Sequence, residues 1–200
     1  MLKIGITGNI GSGKTTVCKI FEVLGIPVFY ADEAAKEVMI TDAALITGIK
    51  QAFGAEAYFD DGTLNRKHIA GIVFNDNEQL NKLNALVHPA VFRAFDNWVL
   101  RQKDAPYVLK EAAILFESGS YKMCDRTIMV SAPLELRMKR VARRDGISAG
   151  DVKARDDRQF TEEQKLKMAD DVIFNDYTQP VIPQVLKLHQ LYLSLAPQYQ

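Results

Sequence analysis

An apolar run, Leu2 to Ile6, leads directly into Gly8-Asn9-Ile10-Gly11-Ser12-Gly13-Lys14-Thr15, with the spacing G-x-x-x-x-G-K-T. No other stretch restricts the fold so narrowly. A strand that ends in this loop and continues as a helix wraps backbone N–H groups around an anion, because the glycines admit close backbone approach. Lys14 is then expected to sit on the β- and γ-phosphates and Thr15 to offer its hydroxyl to a magnesium ion. From Thr15 to Leu24 apolar side chains recur at helical spacing, so the positive end of a helix points at the phosphates. The competing reading is a plain glycine turn between strand and helix. The motif names a nucleoside triphosphate but not its use.

Apolar, β-branched runs at Leu2 to Ile6, Ile26 to Tyr30, Tyr107 to Leu109, Thr127 to Val130 and Asp171 to Phe174 alternate with helical patterns. Alternation of this kind predicts an α/β fold of three layers, about five parallel strands with helices on both faces. Ligands then collect beyond the carboxyl ends of the strands. With 200 residues and 22.4 kDa, the chain is expected to be one domain with appendages rather than two independent domains. The core takes about 1–40, 104–132 and 170–200. A helical insertion takes about 41–103, and an arginine-rich lid about 133–169.

Within the insertion, Leu80, Leu83, Val87, Val91, Ala94 and Trp98 form a stripe at spacings of three and four. Pro89 interrupts it, so the helix is expected to kink or begin anew there, with His88 at the break. In the lid segment, Arg137, Arg140 and Arg144 fall on one helix face. Gly146 and Ser148 supply a stop and a fresh N-cap.

Lys and Arg total 25, balanced by 25 Asp and Glu, and the pI of about 6.8 offers no electrostatic footprint for nucleic acid or an anionic membrane. Cys18 and Cys124 are the only cysteines, which suits a reducing cytoplasmic setting. No secretory leader is expected, and no apolar run approaches a membrane span. The partners expected are small phosphorylated molecules.

Phosphoryl transfer requires a cradle, a metal, cations for the transferring group and a residue that orients the acceptor. Asp32, just past the second strand, is a candidate base or hydroxyl orienter; it also suits the N-cap of a helix over Glu33 to Val38. Arg140 is the candidate cation delivered by the lid, whereas Lys139 and Arg143 read as a solvated face. Glu111, near the end of the third strand, and Glu117 beyond it are candidates for the acceptor or for the water shell of the metal. Glu117 is equally compatible with capping or pairing on a helix surface.

With those residues assembled, the chain resembles the dephospho-CoA kinases. The likeness runs from Ile4-Gly5-Ile6-Thr7 and the loop through Tyr30-Ala31-Asp32, Leu64-Asn65-Arg66, Val73-Phe74, Leu83-Asn84 and His88-Pro89. It resumes at Leu115-Phe116-Glu117, Arg140, Arg144-Asp145-Gly146 and Arg155 with Gln159, and closes at Ala169-Asp170-Asp171-Val172-Ile173-Phe174-Asn175.

The resemblance implies a P-loop, nucleotide-kinase-like fold with a helical acceptor-binding insertion and a helical lid. It implies ATP and dephospho-CoA as substrates, Mg2+ with the ATP, and a monomer or small homo-oligomer. ATP would be held by Gly8, Asn9, Ile10, Gly11, Ser12, Gly13, Lys14, Thr15, Thr16, Arg140 and Asn175. The acceptor would meet Asp32, Arg66, His88, Glu111 and Glu117, with Asp32, Lys14 and Arg140 carrying the chemistry. Departures from the family pattern are Arg137, where many members have Gln; Glu111 and Ala113, where Asp and Pro are common; and Thr15-Thr16 closing the loop. Two alternatives stay open. A nucleoside monophosphate kinase lacks its expected D-G-x-P-R element here. A GTP-dependent switch lacks its N-K-x-D reader, since Asn81-Lys82-Leu83-Asn84 ends without Asp.

Overall fold

The computed structural model of the chain describes residues 1–74 and 76–199. In chain order the elements are β1 (Leu2–Thr7), α1 (Lys14–Val23), β2 (Val28–Tyr30), α2 (Ala31–Thr41), α3 (Ala43–Phe53), α4 (Arg66–Val73) and α5 (Asn77–Val99). They continue with β3 (Tyr107–Glu111), β4 (Arg126–Ser131), α6 (Leu134–Asp145), α7 (Ala149–Asp156), α8 (Glu162–Met168), β5 (Asp171–Phe174) and α9 (Val181–Leu195). The chain divides into two compact units, Met1–Tyr30 with Gln102–Gln200 and, between them in sequence, Ala31–Arg101.

The first unit is built on a five-stranded, wholly parallel sheet in the order β2-β3-β1-β4-β5. β1 lies at its centre, which explains its near-continuous apolar run. Leu2, Ile4 and Ile6 share one face with Tyr107, Leu109, Ile128 and Val130, packed on Val17, Cys18 and Phe21 of α1 and on Val185, Leu188 and Tyr192 of α9. On the opposite face the alternate positions are tightly covered: a Cβ at Gly5 would stand 2.8 Å from a Leu115 methyl carbon. Both thiols are ordinary packing groups, Cys18 buried and Cys124 half-buried. Burial pushes the Cys124 thiol up to about 11.

β2 is shorter than the expected run, since Ile26 and Pro27 precede its first paired residue, Val28. All other strands coincide with the expected runs or extend them by one or two residues. Gly146 ends α6 at a φ of +65°, and Ser148 opens α7 with a reciprocal capping box to Asp151.

The second unit is helical. α2, placed with the core in the sequence reading, groups here with α3 and α5. Its buried seam on α5 is Leu83, Val87, Ala90, Val91 and Phe95, with Leu80, Ala94 and Trp98 half-buried alongside. α5 passes through Pro89 as one helix, so no new helix begins there. Losing the N–H bond at Pro89 costs about 3 kcal/mol. That seam, continued on both sides of the proline, offsets it through contacts with α2, α3 and α4.

Candidate active site

Between β1 and α1 the chain turns through Gly8 to Gly13. Gly11 and Gly13 have φ of +80° and +95°, values open to glycine at little cost. A Cβ at Gly11 would stand 2.6 Å from the carbonyl oxygen of Arg137, and one at Gly13 would collide with the Asn175 carboxamide. The loop is thus pressed between α6 and the segment after β5. The Ser12 N–H closes on the Asn9 carbonyl at 3.0 Å. No side chain caps α1, so its opening amides and the helix dipole suit an anion. Ser12 Oγ and Asn9 Oδ1 are buried with no hydrogen-bond partner among the described residues, as expected of polar atoms in a ligand cradle. Lys14 Nζ donates to the Gly8 carbonyl at 2.9 Å and stands 4.0 Å from the carboxylate of Glu111, the buried last residue of β3. Thr15 and Thr16 are exposed in the first turn of α1.

The three arginines expected on one face of α6 have separate fates. Arg137 is 4 % exposed and donates to the carbonyls of Ala132 and Ile10 at 3.0 and 3.3 Å and to Asp156 at 2.5 Å. It holds the loop from behind. Arg140 reaches the loop's carbonyl side: Nη1 is 3.5 Å from the Gly11 and Ser12 oxygens, and Nη2 donates to the Asn175 carbonyl at 3.0 Å. Asn175 in turn donates its amide to the Ser12 carbonyl at 2.8 Å. Arg144 pairs with Asp145 at the surface and holds its carboxyl below the usual range.

The segment joining α7 to α8 is stitched to the loop. Asn9 Nδ2 donates to the Phe160 carbonyl at 2.9 Å, the Ile10 N–H donates to Gln159 Oε1 at 2.9 Å, and the Phe160 N–H donates to Glu117 at 2.8 Å. Glu117 lies in a turn, not on a helix. It forms an ion pair with Lys165 at 3.0 Å, whose ammonium also donates to the Ala113 carbonyl at 2.8 Å. Lys165 is fully buried, and burial lowers its pKa against the opposing pull of Glu117. Asp156, Phe160 and Lys165 escaped the sequence analysis. On sequence, Lys165 is indistinguishable from its solvated neighbour Lys167.

The core unit therefore brings together Gly8–Thr16, Glu111, Glu117, Arg140 and Asn175. Asp32, Arg66 and His88 belong to the helical unit. Asp32 is the second residue of α2, which begins at Ala31 directly after β2. It lies inside the first turn and is not an N-cap, because Ala31 is already helical. There its charge favours the helix dipole. Arg66 opens α4 and is exposed, behind an Asn65 cap. His88 is half-buried in α5, its ring 6.3 Å from that of Phe92.

A family model described as dephospho-CoA kinase matches residues 2–180. The chain belongs to the dephospho-CoA kinase family. It is 44 % identical over 180 residues to the dephospho-CoA kinase of Salinibacter ruber, covering 89 % of this chain and 90 % of the relative. Against that of Bacteroides fragilis it is 39 % identical over 187 residues, with 94 % and 91 % covered. Among solved structures, dephospho-CoA kinase from Campylobacter jejuni superposes with a TM-score of 0.69 at 28 % identity, covering 96 % of this chain and 97 % of that one. The protein TT1252 from Thermus thermophilus superposes at 0.81 and 36 % identity, with 96 % of each covered. Shikimate kinase from Bacteroides thetaiotaomicron, 13 % identical with a TM-score of 0.52, shares the fold over 95 % of this chain and 97 % of that one. Membership in the dephospho-CoA kinase family and this P-loop kinase fold agree with the loop geometry. Among the described residues no helix is long and apolar enough to cross a membrane.

Proposed function

We propose that this chain transfers the γ-phosphoryl group of ATP to the ribose 3′-hydroxyl of dephospho-CoA, producing coenzyme A and ADP. The observation that carries this reading is a complete phosphate cradle, clasped by Arg140 and Asn175, in a chain that matches the dephospho-CoA kinase family from residue 2 to 180. Neither the nucleoside monophosphate kinase nor the GTP switch has comparable support.

Transfer is direct and in line, without a covalent enzyme intermediate. The loop amides and Lys14 hold the β- and γ-phosphates, and Arg140 adds positive charge where it develops on the transferring group. Asp32 accepts the proton of the 3′-hydroxyl as its oxygen bonds to the γ-phosphorus, and the bond to the β–γ bridging oxygen breaks, leaving ADP. Arg66, His88 and Glu117 hold the acceptor, with Glu111 beside Lys14.

A divalent cation, Mg2+ in this reading, accompanies ATP in kinases of this kind. The residues present fit it: the exposed Thr15 hydroxyl and the Glu111 carboxylate are hard oxygen donors next to the loop, and no group of three His, Cys, Asp or Glu among the described residues forms an all-protein cage. When bound, the cation neutralises phosphate charge. The partners are ATP and dephospho-CoA, with no nucleic acid or membrane, acting in the cytoplasm as a monomer or small homo-oligomer.

The role of Asp32 is tested by Asp32→Asn. Turnover is expected to fall by about a hundredfold or more while ATP binding persists. Near-normal turnover would remove Asp32 from the chemistry.

A further inference from the structure

Ala113, two residues beyond β3, has a carbonyl that takes three donors: the Thr7 hydroxyl at 3.3 Å, the Gln159 carboxamide at 3.4 Å and the Lys165 ammonium at 2.8 Å. A carbonyl oxygen has only two lone pairs to offer. Thr7 ends β1 and Lys165 belongs to α8, so this one oxygen gathers the end of the central strand, the turn after β3 and the segment joining α7 to α8.

The half-buried Gln159 side chain carries the connection on to the phosphate loop, where its Oε1 accepts from the Ile10 N–H at 2.9 Å. Its two ends are fixed by their partners, because the Ile10 amide can only donate and the Ala113 carbonyl can only accept. The peptide joining Asn9 to Ile10 is thereby held on both sides: its carbonyl accepts from the Ser12 N–H at 3.0 Å, and its N–H donates to Gln159. Gln159 is itself held still by its neighbours. The Phe160 N–H donates to Glu117 at 2.8 Å, its carbonyl accepts from Asn9 at 2.9 Å, and the fully buried Lys165 pairs with Glu117 at 3.0 Å. The joint between α7 and α8 is thus a strut seated on the front half of the loop.

We infer that Gln159 is a positioning residue for phosphoryl transfer, its carboxamide fixing the Asn9–Ile10 peptide of the phosphate loop against the turn that follows β3. The inference rests on the reading of the chain as an ATP-dependent kinase of dephospho-CoA. Gln159 acts through the loop: the amides that follow Ile10, together with Lys14, hold the phosphates, and the strut sets the shape in which they are offered. A displacement of about 1 Å in groups that align a reaction costs up to about a hundredfold in rate. Affinity for the nucleotide, spread over the loop amides, Lys14 and Arg140, depends on that alignment far less.

Steady-state kinetics of the full chain with Mg-ATP and dephospho-CoA, normalised to folded protein, test this in the wild type, Gln159→Met and Gln159→Glu. Gln159→Met keeps the length of the side chain and removes both hydrogen bonds, so kcat is expected to fall about tenfold with the KM for Mg-ATP unchanged. Gln159→Glu keeps an acceptor for the Ile10 N–H but brings a negative charge beside the loop. It is expected to hold kcat near the wild-type value and to raise the KM for Mg-ATP about tenfold. A role confined to stability would leave both constants of the folded protein alone. Wild-type kcat in Gln159→Met, or an equal fall of kcat in the two variants, would overturn the positioning role. A wild-type chain that left dephospho-CoA unmodified would overturn the kinase reading, and the role of Gln159 in that transfer with it.

Discussion

Arg137 and Asp156 meet at 2.5 Å with the arginine side chain 4 % exposed, whereas Arg140, one turn further along α6, spends its donors on the Asn175 carbonyl and the carbonyl side of the phosphate loop. Two arginines on one helix thus have different surroundings: the first supports the loop from within the protein, and the second lies against the loop's Gly11 and Ser12 carbonyls.

Substituting them is expected to separate stability from turnover. Arg137→Met leaves Asp156 without its cation, with only the Asn9 amide at 3.4 Å still donating to it, and takes a donor from the Ile10 and Ala132 carbonyls, so urea unfolding should show a loss of about 3 kcal/mol. Arg140→Ala is expected to leave stability nearly intact and to slow transfer more than Arg137→Ala does, judged on the folded fraction. The reverse order of rates would move the phosphate clamp to Arg137.

Lys165 and Glu117 form a pair in which the lysine has no exposed surface. Lys165→Met strands the Glu117 carboxylate, and the expected loss of stability is about 3 kcal/mol or more. Adding Glu117→Gln removes the stranded charge, so the double variant should be more stable than the two single losses summed. A double-mutant cycle reads this coupling directly. Strict additivity would mean that the two groups do not depend on each other.

Asp42 caps α3 by accepting from the Leu45 N–H at 2.9 Å and pairs with Arg93 at 2.6 Å. The Leu45 amide first, then Arg93, holds its carboxyl below the ordinary 3.8. The folded pKa lies below the unfolded one, so the charge stabilises fully above the unfolded value and is lost as pH falls through the folded value. Arg93 is exposed, so Asp42→Asn, which keeps the cap, should cost at most about 1 kcal/mol near neutral pH. Wild type and variant should converge once the pH has fallen below the folded value of the Asp42 carboxyl. A difference that persisted there would show that the charge is not its source.

The phosphate loop, the strand runs and the caps at Gly146 and Ser148 were legible because each depends on local chemistry: glycine conformation, strand patterning, side-chain capping. Residues whose fate is set by distant neighbours were not. Arg137, Arg140 and Arg144 share a face by spacing, yet one is buried against Asp156, one lies on the loop and one pairs at the surface. Pro89 suggested a break, but the apolar seam on both sides of it outweighs a single missing N–H. Lys165 reads as a solvent-facing lysine until Ala113 and Glu117 enclose it. Asp32 sits inside α2 because Ala31 begins the helix without any break after β2.

The most direct test incubates the protein with Mg-ATP and dephospho-CoA and follows the acceptor by mass. The expected result is a product one phosphoryl group heavier, modified at the ribose 3′-hydroxyl. Unmodified dephospho-CoA, alongside phosphorylation of a nucleoside monophosphate under the same conditions, would contradict it.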